Sequence, residues 1–280
     1  MDRRQFRAHA LDGAQLYFHP ASGVHVRVAN AATSGLRRKA PRVAMFGITN
    51  ACNLACDFCS RDTARSSGWT VATAAATLRG LHDAGVLEVA YGGGEPFAFR
   101  GFADLVAELD TTTTLAQHVT TNGTRIDDAM WPAFAGRFGI VRLSIYDGTP
   151  WLRAAETLTG LGQRWGANLL IDRARLRTLP QLLIALAAAG CRDVSLLSYV
   201  GPDASRHLHA DDDRALADRI ADSPIPCRVS VCFGDRLSVP RLLAGDDCEA
   251  GRDFVSITSD GRDQVAARFA VVARKRALHR

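Results

Sequence analysis

Three cysteines fall within eight residues in Cys52-Asn53-Leu54-Ala55-Cys56-Asp57-Phe58-Cys59, close enough along the chain to converge on one inorganic centre without help from a distant segment. The C-x3-C-x2-C spacing offers three thiolates, whereas a closed structural zinc site takes four ligands, commonly as paired C-x2-C units with a Cys or His further on. No His or fourth Cys lies beside the motif. The simplest use of three thiolates is therefore a cubane cluster with one iron left open to an exogenous ligand, an arrangement for chemistry. A zinc knuckle or a set of disulfides is the alternative use of the same cysteines.

Other stretches carry glycines or polar groups suited to a ligand. In Tyr91-Gly92-Gly93-Gly94-Glu95-Pro96 the glycines let backbone approach a ligand closely, a carboxylate stands beside them for a cationic group, and Pro96 stiffens the exit. Taken alone, that string reads as a tight turn. Thr120-Thr121-Asn122-Gly123 sets polar side chains where they can hydrogen-bond a ribose or a carboxylate. In Val141-Arg142-Leu143-Ser144-Ile145-Tyr146, strand alternation puts Arg142, Ser144 and Tyr146 on one face and the aliphatic residues on the other. Asp172 is placed either to meet ribose hydroxyls or to cap a helix, and His118, which shares a face with Thr120, reads first as a structural histidine. Cys227, Cys232 and Cys248 suffice in principle for a second cluster with an open iron, or are plain thiols.

With Phe58 in the aromatic slot of C-x3-C-x-aromatic-C, just after an apolar strand, the cysteine motif resembles the signature of radical S-adenosylmethionine (radical SAM) enzymes. The glycine and threonine stretches resemble the GGEP and TTNG motifs that follow it in that family. The resemblance implies a [4Fe-4S] cluster on Cys52, Cys56 and Cys59 whose open iron takes the amino and carboxylate groups of SAM. Reductive cleavage of SAM to a 5'-deoxyadenosyl radical, and abstraction of a substrate hydrogen atom, follow from the same resemblance. It places Gly93, Gly94 and Glu95 at the amino group of SAM, and Phe58, Thr120, Asn122, Ser144 and Asp172 among the residues that contact it. It also implies an electron donor of the flavodoxin or ferredoxin type.

The stretch Cys248-Glu249-Ala250-Gly251-Arg252-Asp253-Phe254, with Ser256 to Gly261, is similar to the start of the SPASM or twitch extension that carries auxiliary iron-sulfur clusters in peptide-modifying relatives. The match is partial, because Ala266 stands where the next Cys of that extension belongs and no Cys follows Cys248. The expectation is a degenerate or truncated extension with no auxiliary cluster. Cys232, alternating with Ser230 at the end of a candidate strand Arg228 to Phe233, is then a candidate hydrogen donor to a substrate radical. The extension tilts the expected substrate toward a peptide, crosslinked or epimerised in a natural-product pathway. Rearrangement or dehydrogenation of a small molecule is the alternative reaction, and a non-catalytic iron-sulfur or zinc module the alternative class.

These residues need elements to hold them. From Val43 the pattern is strand, loop, helix, repeated, with strands at Val43–Ile48, Leu87–Tyr91, Gln117–Thr121, Val141–Tyr146, Asn168–Asp172 and Val194–Tyr199. Helices are expected near 72–84, 102–109, 127–138, 151–165 and 179–189. The fold class is α/β, an open six-stranded partial TIM barrel of (β/α)6 form, and the cysteine motif directly follows its first strand, where the loops of parallel barrels carry chemistry. Runs near Gln15–Phe18 and Val24–Val28, separated by Pro20-Ala21-Ser22-Gly23, read as an N-terminal hairpin. The expected division is residues 1–41 for hairpin and basic linker, 42–226 for the barrel, and 227–280 for the extension.

Composition sets the remaining bounds. Apolar residues make up 47% of the 280 and charged residues 22%, which fits a globular chain and excludes a disordered or fibrous one. The N-terminus lacks the apolar core of a signal peptide, and the longest apolar run, Leu182 to Ala189, is too short to span a bilayer, so a cytoplasmic protein without a membrane partner is expected. Seven Cys, an odd number, fit reduced thiols and metal binding better than a disulfide framework. The net charge of +5 comes almost wholly from Arg, yet no recognition helix, paired zinc finger or aromatic RNA-binding strand makes nucleic acid an expected partner.

Overall fold

The computed structural model describes residues 5–20, 24–59, 61, 64–240 and 251–260, with 231, 234 and 235 described by backbone alone. The main chain enters through three short strands, β1 (Arg7–Leu11), β2 (Ala14–His19) and β3 (Val24–Val28), which form an antiparallel sheet in that order. The expected hairpin is thus β2 and β3, with β1 added on its outer side.

Alternating strands and helices follow: β4 (Val43–Thr49), α1 (Val71–Asp83), β5 (Glu88–Gly93), α2 (Phe102–Thr112), β6 (Ala116–Thr121), β7 (Phe138–Ser144), α3 (Trp151–Gly160), β8 (Trp165–Ile171), α4 (Arg173–Ala188), β9 (Val194–Ser198), α5 (Ala210–Ala221), β10 (Cys227–Val229) and β11 (Phe254–Ile257). They build one parallel sheet in the order β10-β9-β8-β7-β6-β5-β4-β11, curled into an open half-barrel. The six strands read from the sequence are its centre. The residues from 227 onward add an edge strand on each side, β10 against β9 and β11 against β4.

Helix signals explain most of the connections. Thr70 caps α1 by accepting a hydrogen bond from the Thr73 N–H at 3.2 Å, and the buried stripe Ala74, Ala75, Leu78 and Leu81 turns one face to the sheet. Asp172 caps α4 through the Arg175 N–H at 2.9 Å, and Leu176, Leu179, Leu183 and Leu186 form its buried stripe. The expected helix over 127–138 is absent. Trp131, Phe134 and Phe138 keep a helical spacing, but Pro132 and Gly136, the latter at φ 73°, break the run into turns around one short 3-10 segment. The three rings instead join Phe97 and Phe102 in an aromatic cluster, with Phe97 and Phe134 centroids 5.1 Å apart.

Strand alternation divides the sheet into an outer apolar face under the helices and an inner polar one. On β7, Val141 and Leu143 lie in the core with Ile145 beyond them, while Arg142, Ser144 and Tyr146 point to the inside. The antiparallel sheet closes the end of the barrel away from the cysteine loop. Its Leu16 and Phe18 pack on Leu87 and Ala116, at the starts of β5 and β6. His25 Nε2 reaches Glu88 Oε1 at 3.2 Å, and His118 and Arg42 meet the same carboxylate. No helix among the described residues is long and apolar enough to cross a membrane.

Three carboxylates at this closed end carry a pH dependence. Burial opposes ionisation of Glu88, but His118, His25 and Arg42 outweigh it and hold its carboxyl far below the ordinary range. Asp193 and Asp253 are also held low, by Arg142 with Arg228 and by Arg42 with Arg38, against the same opposing effect of burial. Their ordinary values are 4.5 for Glu and 3.8 for Asp, so on acidification the unfolded chain binds protons before the folded one. The stability these groups contribute is therefore complete above about pH 4.5 and lost as pH falls below it. The thermal midpoint should hold from pH 7 to pH 5 and fall by at least about 5 °C by pH 3. Asp253→Asn, less stable at neutral pH, should lose less on acidification; an equal loss would show that Asp253 contributes nothing to the acid response.

Candidate active site

The cysteine loop begins where β4 ends, and the exit of β5 fixes its first residues. Gly94 N–H donates to the Thr49 carbonyl at 2.6 Å and Glu95 N–H to the Ala51 carbonyl at 2.8 Å. A Cβ on Gly94 would lie 2.1 Å from the Ala51 oxygen, and one on Gly93, whose φ is 122°, would lie 2.3 Å from the Thr49 oxygen. Both glycines are thus required by backbone packed directly on backbone. The sequence reading has them approach SAM; in the structure their missing side chains make room for the start of the cysteine loop. Ser67 supports the same turn, its hydroxyl accepting from the Asn50 N–H at 2.8 Å and lying 3.0 Å from Thr49 Oγ1.

Glu95 is fully buried, and both of its oxygens are taken by the chain. Oε1 accepts from the Thr121 hydroxyl at 2.7 Å and the Phe97 N–H at 3.2 Å, while Oε2 accepts from the Asn122 N–H at 2.8 Å. Burial raises its pKa against these bonds, which favour the carboxylate. The carboxyl expected at the amino group of SAM therefore fastens the exit of β6 to that of β5. Asn122 carries the link onward. Its Nδ2 donates to Asn53 Oδ1 at 3.0 Å and lies 3.9 Å from Cys52 Sγ, and its Oδ1 accepts from the Thr124 N–H at 3.0 Å.

Beyond these pins the loop opens onto a cavity of about 970 Å³ at the C-terminal rim of the barrel, lined by Cys56, Phe58, Tyr146, Asp172, Arg175 and Arg206 among others. The Phe58 and Tyr146 rings lie 5.3 Å apart, and Ser144 hydrogen-bonds Tyr146, whose phenol burial pushes up. Arg206 spans the cavity wall. Its Nε donates to Asp172 Oδ2 at 3.0 Å, a second nitrogen to Asp57 Oδ2 at 2.8 Å, and its plane lies 4.5 Å from the Tyr199 ring centroid. The Asp57 carboxylate is largely exposed, so the Asp172 pair, side chains 22% and 14% accessible, is the stronger hold.

The three thiols lie together on one loop at the mouth of this cavity. Cys52 and Cys56 are half-buried and Cys59 is exposed. Burial, and then the neighbouring Cys59 and Cys52 thiolates, push the Cys56 pKa up, so the three sulfurs share one electrostatic neighbourhood. Among the described residues no group of three or more His, Cys, Asp or Glu side chains is drawn close enough to hold one metal ion. Three thiolates from one loop are the donor set that a cubane with an open corner takes.

The other expected residues are scattered. Thr120 lies on the inner face of β6, and it is Thr121, on the opposite face, that bonds Glu95. Asp172 is at the rim as helix cap and Arg206 partner. Cys227 is buried, with its thiol pushed up by burial, a poor state for a cluster ligand that must lose its proton. The strand expected through Phe233 stops at Val229, and Cys232 sits exposed on a 3-10 turn beside the buried Phe233. Alternation therefore does not aim Cys232 into the barrel. Cys248 and Ala266 lie outside the described residues. Sequence reasoning missed Asn53, Thr121, Tyr199 and Arg206; nothing local marks Arg206, which reaches the cavity from the loop after β9.

Residues 46–150 match the family model described as the Radical SAM superfamily, a span that holds the cysteine, glycine and threonine motifs and all of β7. Among solved structures, Streptococcus suis SuiB bound to S-adenosylmethionine is similar, with a TM-score of 0.70 at 13% identity over 91% of this chain and 80% of that one. The same protein bound to precursor peptide SuiA gives 0.68 at 12% identity, over 92% and 81%. Native anSMEcpe with bound AdoMet and Kp18Cys peptide gives 0.56 at 16%, over 67% of this chain and 64% of that one. No curated protein matches the chain in sequence. At such identities the likeness to the solved structures is one of fold, and the family model carries the rest: residues 46–150 are a radical SAM domain.

Proposed function

We propose that this enzyme cleaves SAM reductively at a [4Fe-4S] cluster held by Cys52, Cys56 and Cys59 and takes a hydrogen atom from a peptide, an oxidoreductase reaction of natural-product maturation such as crosslinking or epimerisation. The observation that carries the reading is the three-thiol loop, pinned by Gly93, Gly94 and Asn122 and open to a cavity of about 970 Å³. When bound, the cluster supplies an electron to SAM, and SAM supplies the 5'-deoxyadenosyl radical. The chain's part is positioning and exclusion of water. Phe58 and Tyr146 wall the cavity, Ser144 orients the Tyr146 hydroxyl, and Arg206 holds Asp57 of the cysteine loop against Asp172. Glu95 acts through Thr121 and Asn122, since it is fully buried and each of its oxygens accepts from the chain.

Peptide as the substrate class is supported by the solved relatives, SuiB bound to precursor peptide SuiA and anSMEcpe with bound peptide. The electron comes from a flavodoxin or ferredoxin. Anaerobic reconstitution should give a brown protein with about four irons per chain, one cubane. On reduction it should release 5'-deoxyadenosine from SAM, and a deuterated peptide substrate should pass deuterium into that product. A colourless zinc protein would reject the enzyme reading, about eight irons would restore an auxiliary cluster, and deuterium transfer from a small molecule alone would move the substrate class.

A further inference from the structure

The inside of the barrel holds a second cavity, of about 820 Å³, on the side of Arg142 and Glu88 and apart from the cysteine loop. Parallel barrels usually fill this space with branched apolar side chains. Here seven arginines and four carboxylates line it. Each carboxylate is already shared by two or more bases: Asp12 by Arg38 and Arg252, Asp253 by Arg38 and Arg42, Asp193 by Arg142 and Arg228, and Glu88 by Arg42, His25 and His118. Among the described lining residues the arginines outnumber the carboxylates.

Two strand glycines make room for the side chains of this cluster. A Cβ on Gly166 of β8 would lie 2.4 Å from Asp193 Oδ1 and 3.1 Å from Arg142 Nη1, and one on Gly139 of β7 would lie 2.9 Å from the His118 ring. Two guanidiniums sharing one carboxylate leave donors over, and Arg142 Nη1 and Arg228 Nε are buried without a hydrogen-bond partner. So are Ser195 Oγ and Asp193 Oδ1, the latter an acceptor in the same cluster. Surplus guanidinium donors beside one unused acceptor suit a carboxylate flanked by a peptide N–H, which brings the donor for Asp193 that a bare inorganic oxyanion lacks.

We infer that this cavity holds an acidic segment of the peptide substrate, an Asp or Glu carboxylate on Arg142 and Arg228 with a backbone N–H on Asp193. The inference rests on the peptide reading above and names the substrate's character. Along β7, Arg142 stands two residues before Ser144 and four before Tyr146, about 7 and 13 Å at the rise of a strand. An extended peptide covers that distance in two to four residues. The acidic residue is accordingly two to four positions from the residue that is modified at the rim.

Reconstituted full-length protein should bind a fluorescein-labelled hexapeptide Gly-Ala-Glu-Glu-Ala-Gly at least tenfold more tightly than its Gln-Gln counterpart, read by anisotropy at fixed ionic strength. Arg142→Gln should remove the preference, leaving the Gln peptide unaffected. Because that variant leaves Asp193 with Arg228 alone, the double variant Arg142→Gln/Asp193→Asn, which removes one charge of each sign, should show the same loss while keeping the circular dichroism spectrum of the parent. Equal binding of the two peptides, or a preference kept in both variants, would overturn the inference. Inorganic phosphate that displaces the acidic peptide at equal concentration would do so too, by showing a simple oxyanion site. The parent's 5'-deoxyadenosine yield is read in parallel: no yield removes the enzyme reading, whereas full yield without acidic preference removes only this inference.

Discussion

Replacing Cys52, Cys56 and Cys59 together by alanine should remove the brown chromophore and lower 5'-deoxyadenosine formation by at least about a thousandfold, because a cubane without its thiolates has no anchor. The fold should survive. The three side chains are half-buried or exposed, outside the apolar core between sheet and helices, and Cys52 Sγ accepts long hydrogen bonds from the Leu54 N–H at 3.4 Å and Asn122 Nδ2 at 3.9 Å. Surface-type substitutions of this kind change stability by about 0.5 kcal/mol or less each. The thermal midpoint of the apo variant should therefore stay within about 5 °C of the apo parent. Loss of both activity and fold would leave the cysteines as structural residues, and 5'-deoxyadenosine formation by the triple variant would place the cluster elsewhere.

Much of the barrel was legible because its strands are long enough for alternation to show. Val141 to Tyr146 gave the right inner and outer faces, and the helix expected near 72–84 runs over Val71–Asp83. The misses have physical causes. Trp131, Phe134 and Phe138 mimic a helical stripe, and only Pro132 and Gly136 between them say otherwise. The helix expected near Leu179 starts at Arg173, because Pro180 sits inside it and obscures the earlier turns. β10 and β11, of three and four residues, are too short to show a period, and their places at the two sheet edges are set by pairing with β9 and β4.

The site was legible to the extent that it is local. The thiols, the glycines and the Thr-Thr-Asn-Gly turn all converge at the end of the barrel where parallel-strand loops meet. Which of them touch one another is a property of strand neighbours that the sequence does not print. Thr121 in place of Thr120 as the partner of Glu95, Asn53 as the partner of Asn122, and Arg206 as the tie between Asp57 and Asp172 all depend on side chains from separate loops.

Gly94→Ala should lower iron loading from about four per chain to below about one and cut SAM cleavage at least about a hundredfold, since the cubane assembles only on thiols already brought together. The added Cβ would meet the Ala51 carbonyl oxygen at 2.1 Å and the Asn50 oxygen at 2.7 Å. Both obstacles are backbone, so no rotamer change relieves them, and the first residues of the cysteine loop must move away from β5. That movement breaks the bonds from Gly94 to Thr49 and from Glu95 to Ala51, which set where Cys52 begins. The helices and the apolar core behind the sheet are untouched, so circular dichroism should keep its shape while the thermal midpoint falls by about 5 to 10 °C. Gly92→Ala is the matched control. A Cβ there meets nothing within 4 Å, and its φ is not in the left-handed range, so that variant should take up iron like the parent. Equal iron in Gly94→Ala and Gly92→Ala would mean that the loop finds its place without the glycine turn, and that the contact between the exits of β4 and β5 does not organise this site.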